Sequence, residues 1–340
     1  MHSRMWLETH EAPATLARQG RLHDERFAAL GERLRAAPPR AVVTVGRGSS
    51  DHAAAYLGYL TMARLGRLAV SLPMSLVTLY EAPLDVAGTL AVAVSQSGRS
   101  PDVVEPIRHF RAGGAETVAL VNDTASPLSQ AAAWSFGLEA GPEYAVAATK
   151  SYIASLGAAA RLVAHWQNDQ SLLAALDELP VALEAALSVD WSEAVERLQH
   201  SDRLMTVGRG LTLPIALEAA LKCKETAAIQ AEAFSGAEIK HGPMALIEHG
   251  YPLLIFATRG PAQASLRQTA AEMRRRGAQV LLAAPADVAE RDLTLPLAPV
   301  AELDPLTAIT AFYPMVEALA RARGLDPDQP RHLDKVTLTR

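Results

Sequence analysis

Short, almost wholly apolar runs recur along the chain, separated by longer stretches of helical period. They fall at 41–45, 90–94 and 118–121 in the first half and at 204–207, 253–257 and 280–283 in the second. A strand that is apolar at every position must be covered on both faces, as in a parallel sheet. Helical stretches between such strands read as βαβ units and predict a doubly wound parallel sheet, class α/β. Residues 1–38 predict a helical segment that stops at Pro38-Pro39, and 172–187 reads as an Ala- and Leu-rich helical connector. From Gly324 onward Pro327 and Pro330 prevent a helix from continuing, so an extended tail over the domains is expected.

The pattern repeats. Thr44-Val45-Gly46-Arg47-Gly48 recurs letter for letter at Thr206-Val207-Gly208-Arg209-Gly210, an offset of 162 residues. The same offset carries 118–121 onto 280–283 and Ser97-Gly98 onto Arg259-Gly260. A constant register over that distance predicts a duplicated unit. The expected organisation is a helical segment at 1–38, a first domain at 39–185, a second at 186–325 and a tail at 326–340.

Composition narrows the class. The 340 residues suffice for two domains, and with 49% hydrophobic but only 5% aromatic residues the cores must pack mainly Ala, Leu and Val. Lys and Arg number 32 against 37 Asp and Glu, and without a basic tract nucleic acid is not an expected partner. The apolar runs fall short of the roughly 20 residues a membrane span needs. No secretory core follows Met1, so the expected location is cytoplasmic. The single cysteine, Cys223, excludes disulfides and thiolate metal sites; it reads as a small helix residue, with a nucleophile as the alternative.

Candidate chemistry gathers at the carboxyl ends of the predicted strands, where ligands of doubly wound sheets bind. After the run at 90–94 come Ser95-Gln96-Ser97-Gly98-Arg99-Ser100-Pro101-Asp102 and an amphipathic stretch ending at Gly113-Gly114. Ser100 is placed as helix N-cap and Pro101 as first helical residue. Free N–H groups at a helix N-terminus attract anions. Ser95, Gln96, Ser97 and Ser100 could cradle a phosphate monoester there, with Gly98 allowing close backbone approach; the alternative is a turn that only caps its helix. The second copy has Ala257-Thr258-Arg259-Gly260 at the matching positions, which predicts one phosphate site, in the first domain. Gly48 and Ser50, beyond the first strand, could bond a sugar hydroxyl or the phosphate, or merely cap a helix.

In the second copy Lys222 and Glu225 share a helix face at i, i+3, as a surface ion pair or as catalytic groups. His241 stands against Gly242-Pro243, and Lys335 lies in the tail. Each has a bland reading, as a structural histidine or an exposed terminal lysine. Together they form the set that sugar-phosphate isomerisation requires: a histidine to open the ring, a carboxylate to move a proton between C1 and C2, and ammonium groups to stabilise charge or form an imine. No metal and no cofactor are predicted.

These segments resemble the sugar isomerase (SIS) family, within it the isomerase half of glutamine–fructose-6-phosphate aminotransferase and its stand-alone relatives. The resemblance covers about residues 40–340. It rests on Ser95-Gln96-Ser97-Gly98, EYAVAATK at 143–150, ALKCKE at 220–225, Ala231-Glu232-Ala233-Phe234, EIKHGP at 238–243 and DQPRHLDK at 328–335. It implies two tandem SIS-type, flavodoxin-like domains of five parallel strands each and a homodimer with a shared active site. The implied ligand is a phosphorylated amino sugar or ketose phosphate. By the resemblance Ser95, Gln96, Ser97 and Ser100 hold the phosphate, while Ser50, Gly48 and Val146 adjoin the sugar. Glu225 shuttles the C1–C2 proton beside Lys222, His241 opens the ring from the neighbouring subunit, and Lys335 forms a Schiff base.

Two positions depart from the aminotransferase: Ala148 stands for Ser, and Asp334 for Ala. A chain that starts at Met1 with Cys223 as its one cysteine is expected to lack the glutaminase domain and to draw no ammonia from glutamine. AATK in place of ASTK makes it similar to the second type of glucosamine-6-phosphate deaminase, which implies conversion of glucosamine 6-phosphate and water to fructose 6-phosphate and ammonia. The alternatives are a deglycase of fructosamine phosphates, a deaminase of galactosamine 6-phosphate, and a non-catalytic sugar-phosphate sensor.

Overall fold

The computed structural model describes residues 2–335. Among them ten strands form two five-stranded sheets, parallel throughout. The first sheet holds β1 (Val42–Val45), β2 (Ala69–Ser71), β3 (Leu90–Ser95), β4 (Glu116–Val121) and β5 (Trp134–Gly137). The second holds β6 (Arg203–Gly208), β7 (Gln230–Ser235), β8 (Pro252–Phe256), β9 (Gln279–Ala284) and β10 (Leu293–Thr294). Their orders are β2-β1-β3-β4-β5 and β7-β6-β8-β9-β10, one topology used twice. The predicted duplication therefore holds at the level of strand pairing.

The six predicted runs are the six central strands. Every residue of β1, β3 and β8 is buried, because helices cover both faces. The resemblance implied five strands per sheet, but the pattern did not locate the four edge strands, for a physical reason: with one neighbour each they are short or half-exposed, and β2 leaves Val70 and Ser71 in solvent. Helices Ser49–Leu65 and Pro101–Ala112 follow β1 and β3, and one repeat later Leu213–Ala227 and Gln263–Arg275 follow β6 and β8. No helix among the described residues is long and apolar enough to cross a membrane.

The repeated glycines have a steric cause. A Cβ on Gly46 would lie 2.8 Å from backbone atoms of Ser50 and Asp51, and one on Gly208 only 2.2 Å from the Thr212 carbonyl oxygen. The strand turns straight into its helix, and only glycine admits that approach.

Two compact units emerge, neither contiguous in sequence. One holds the first sheet and comprises Ala14–Glu143, Lys150–Asp177 and residues 334–335; the other holds the second sheet and comprises residues 2–13, Tyr144–Thr149 and Glu178–Leu333. The segment expected at 1–38 is two helices, Arg4–His10 and Ala12–Ala36, and the first of them belongs with the second sheet. Its N-terminal amides donate to Asp328, and Ser3 Oγ donates to Glu317. The tail also differs from expectation. Residues 324–335 form turns rather than an extended strap, Asp326 accepting from the amides of Asp328 and Gln329; 336–340 lie outside the described residues.

Gly208→Ala should lower stability by about 1–3 kcal/mol, since the methyl cannot be placed without moving backbone. Urea unfolding measures this, and an unchanged midpoint would contradict the close approach.

Candidate active site

In the first sheet the strand order reverses between β1 and β3, the switch point at which doubly wound sheets bind ligands. Val45 pairs with Ala93, which brings the loop after β1, with Gly48 and Ser50, beside the turn after β3, with residues 95–100. Gly48 and Ser100 occupy the N-cap positions of helices Ser49–Leu65 and Pro101–Ala112, and Pro101 is the first helical residue of the latter. The switch-point serines and Gln96 thus lie together at one sheet edge.

The turn is held from behind. Ser95 Oγ accepts the Gly98 amide at 3.0 Å and Ser97 Oγ the Arg99 amide at 3.4 Å. A hydroxyl used as acceptor keeps its own proton to donate, so both serines remain able to donate to an anion. Leu128 donates its amide to Gly98 O at 3.1 Å. Gly98 has φ +62°, and a Cβ there would meet Ser126 Oγ at 2.2 Å, so this turn admits only glycine. Arg47, absent from the candidate set, brings a cation to the same edge: its Nε donates to the buried Asp102 carboxylate at 2.8 Å while the side chain stays 56% exposed. Its place inside the repeated pentapeptide was the signal that could have found it.

The corresponding turn of the second sheet is closed by the chain itself. Arg259, at the position of Ser97, donates to Asp304 from its amide at 3.2 Å, from Nε at 2.9 Å and from Nη2 at 2.7 Å, and the Ala298 amide adds a fourth bond to that carboxylate. The hydrogen bond to Asp304 holds the Arg259 guanidinium above its ordinary pKa. An internal carboxylate thus occupies the donors of the second copy.

On helix Leu213–Ala227 the predicted Lys222–Glu225 pair forms, but it is no surface decoration. Lys222 is 1% exposed and sits between two carboxylates, donating to Glu225 and lying 3.4 Å from Glu218. Glu218, fully buried, also accepts from Tyr313 Oη at 3.2 Å. Burial works against the ammonium charge, but Glu218 and then Glu225 outweigh it and hold the pKa above that of ordinary lysine. Glu225 is the outer end of this chain, 19% exposed. It lines a cavity of about 200 Å³ whose wall includes Lys224, Asp326, Gln329 and Arg331. Glu218 was missed, although its i, i+4 spacing from Lys222 was readable.

The remaining candidates lie on other elements. His241 ends the short 3-10 turn Glu238–His241 and is exposed, with Gly242 at φ +141° behind it. Val146 is half-buried in the irregular stretch Tyr144–Thr149. Lys335 is not a free terminal lysine. Its Nζ lies 3.0 Å from Glu143 Oε2, and that buried carboxylate also accepts from Ser151 N at 3.1 Å and Ser151 Oγ at 2.6 Å. The serine turn and Lys335 belong to the unit of the first sheet; Lys222, Glu225, His241 and Val146 belong to that of the second. Cys223 is buried and its thiol is pushed up to about 12 by desolvation, so it is packing and not a nucleophile.

The SIS domain model matches residues 37–164 and 197–320, one match per sheet. The chain belongs to the SIS domain family. The glutamine–fructose-6-phosphate aminotransferase of Aeropyrum pernix is 35% identical over 316 residues, covering 86% of this chain and 50% of its own length. The chain spans about half the length of the curated relatives it matches and is homologous to their isomerase half. Among solved structures, a candidate phosphosugar isomerase from Silicibacter pomeroyi DSS-3 has a TM-score of 0.92 at 42% identity, covering 96% of this chain and 100% of that one. The C-terminal domain of the aminotransferase from Francisella tularensis has a TM-score of 0.86 at 25% identity, covering 97% and 99%. The two SIS matches end before Lys335, which lies outside them.

Lys222→Met in this SIS protein strands the Glu218 carboxylate and should cost about 3–5 kcal/mol in urea unfolding at pH 7. Because the folded pKa of Lys222 is raised, its contribution is complete below the ordinary value of 10.5 and is lost only as pH rises through the folded value. The gap between wild type and variant should therefore stay constant from neutrality to about pH 10. A gap that closes below pH 9 would contradict the assignment.

Proposed function

We propose that this SIS protein is a glucosamine-6-phosphate deaminase that isomerises its substrate, giving fructose 6-phosphate and ammonia. The observation that carries the reading is the buried Glu218–Lys222–Glu225 chain ending at a cavity. A sensor needs only an anchor for phosphate, whereas a desolvated lysine locked between carboxylates is an expensive arrangement that suits a carboxylate taking and returning a proton. These 340 residues hold no reactive thiol for glutamine hydrolysis, since Cys223 is buried.

In this reading Ser95, Gln96, Ser97 and Ser100 anchor the phosphate, with Gly48, Ser50 and Val146 along the sugar. His241 moves the O1 proton to the ring oxygen and opens the ring. Its exposure suits a residue that serves a neighbouring copy in a homodimer. Glu225 takes the C2 proton to give an enolamine and delivers a proton to C1, leaving a C2 imine. Lys222, permanently charged, stabilises the carboxylate side of this exchange. The Lys335 amine displaces ammonia from C2, and water then hydrolyses the lysine imine, so one water is consumed for each ammonia released.

The test is ammonia release from glucosamine 6-phosphate by purified protein without glutamine, alongside fructosamine phosphates and galactosamine 6-phosphate. Glu225→Gln should lower kcat at least a hundredfold, while Ser97→Ala should act mainly on KM. Borohydride with fructose 6-phosphate should trap an adduct on Lys335. Turnover of a fructosamine phosphate alone, or tight binding with no turnover of any sugar phosphate, would reject the deaminase reading.

A further inference from the structure

Helix Arg4–His10 has no part in the chemistry just described, yet it carries Glu8, a carboxylate only 4% exposed. Glu8 Oε1 accepts the amide of Tyr144, and Oε2 accepts that of Ala145 at 3.1 Å. These amides open the stretch Tyr144–Thr149, which belongs to no helix or strand and so lacks ladder partners of its own. Val146 follows directly. The Arg4 guanidinium adds a contact on the same stretch, 5.7 Å from the Tyr144 ring centre. At the other end of the helix, Asp328 accepts the amides of Arg4 at 2.7 Å and Met5 at 2.9 Å. Asp328 immediately precedes Gln329, which with Arg331 lines the cavity that Glu225 faces.

We propose that Glu8 is a positioning residue: through its two amide bonds, and through Asp328 at the far end of its helix, it fixes the backbone of the Val146 stretch relative to the tail segment walling the Glu225 cavity. The proposal rests on the functional reading above for its substrate, a sugar phosphate. It does not rest on it for the brace itself. A carboxylate suits this place because its charge strengthens both bonds and its second oxygen takes the Ala145 amide at 3.1 Å, closer than the 3.4 Å from that amide to Oε1, whereas a carboxamide offers a single acceptor oxygen.

The full chain and its Glu8→Ala, Glu8→Gln and Asp328→Asn variants decide the matter through amide hydrogen exchange at 144 and 145 and through KM and kcat for glucosamine 6-phosphate. Glu8→Ala should speed exchange at both amides at least tenfold and raise KM about tenfold with a smaller change in kcat; Glu8→Gln should fall between it and wild type. Asp328→Asn should loosen the helix start and raise KM less. Unchanged exchange in Glu8→Ala overturns the proposal, as does a loss of kcat and KM together in step with the folded fraction, with Gln no better than Ala. Should Glu8→Ala not fold, Glu8→Gln carries the test, with a threefold rise in exchange expected and no change overturning it. A wild-type protein inactive on every sugar phosphate, but with exchange accelerated by Glu8→Ala, supports the brace while rejecting the functional reading.

Discussion

A parallel strand can be followed only by a crossover, so every strand-to-helix turn of such a sheet opens at the same edge. This constraint governs both halves of the protein. It places residues 95–100 beside Gly48 and Ser50 through the β1–β3 pairing, and it would place an equivalent set beside the β6–β8 pairing. The glycines at 46 and 208 follow from the same requirement, since the chain must leave the strand and enter the helix within four residues. What distinguishes the halves is how the donors at that edge are used.

In the first sheet the serine hydroxyls accept from their own turn and keep protons to donate outward. In the second, Arg259 and the Ala298 amide converge on Asp304, which neutralises and fills the equivalent place. One duplicated edge is thus open to an external anion and the other satisfied internally. Duplication alone would give two turns with donors facing outward; a single carboxylate at the start of helix Asp304–Ala322 occupies those of one. The second unit also carries the Glu218–Lys222–Glu225 chain on helix Leu213–Ala227.

Much of the fold was legible because burial on both faces writes itself into sequence: 90–94 and 253–257 are apolar without interruption and 41–45 is broken only by Thr44, and they became β3, β8 and β1. Strands β2 and β10 were not, since three or two residues at a sheet edge need no distinctive pattern. In the site, local spacing revealed Lys222 with Glu225 but neither the burial of that pair nor Glu218 as its third member. Partners far apart in sequence, such as Glu143 with Lys335 or Glu8 with Tyr144, leave no periodic trace. They are set by tertiary packing, as is the assignment of helix Arg4–His10 to the second sheet.

The two candidate lysines differ in their suitability to act as an amine. Lys222 is almost without solvent contact, and its ammonium is neutralised by two carboxylates, one of which is wholly buried. Its raised pKa keeps it charged across the physiological range, so it lacks the lone pair an imine requires. Lys335 Nζ lies 3.0 Å from Glu143 Oε2, in a carboxylate that also accepts from the amide and hydroxyl of Ser151. The Lys335 side chain also keeps 23% of its surface in solvent, where a ligand can reach it. Were the roles exchanged, imine formation would have to strip a proton from a desolvated ion flanked by two anions, leaving both carboxylates buried or half-buried without their cation. That cost falls on the protein at each turnover, whereas moving Lys335 away from Glu143 leaves a carboxylate still bonded by Ser151.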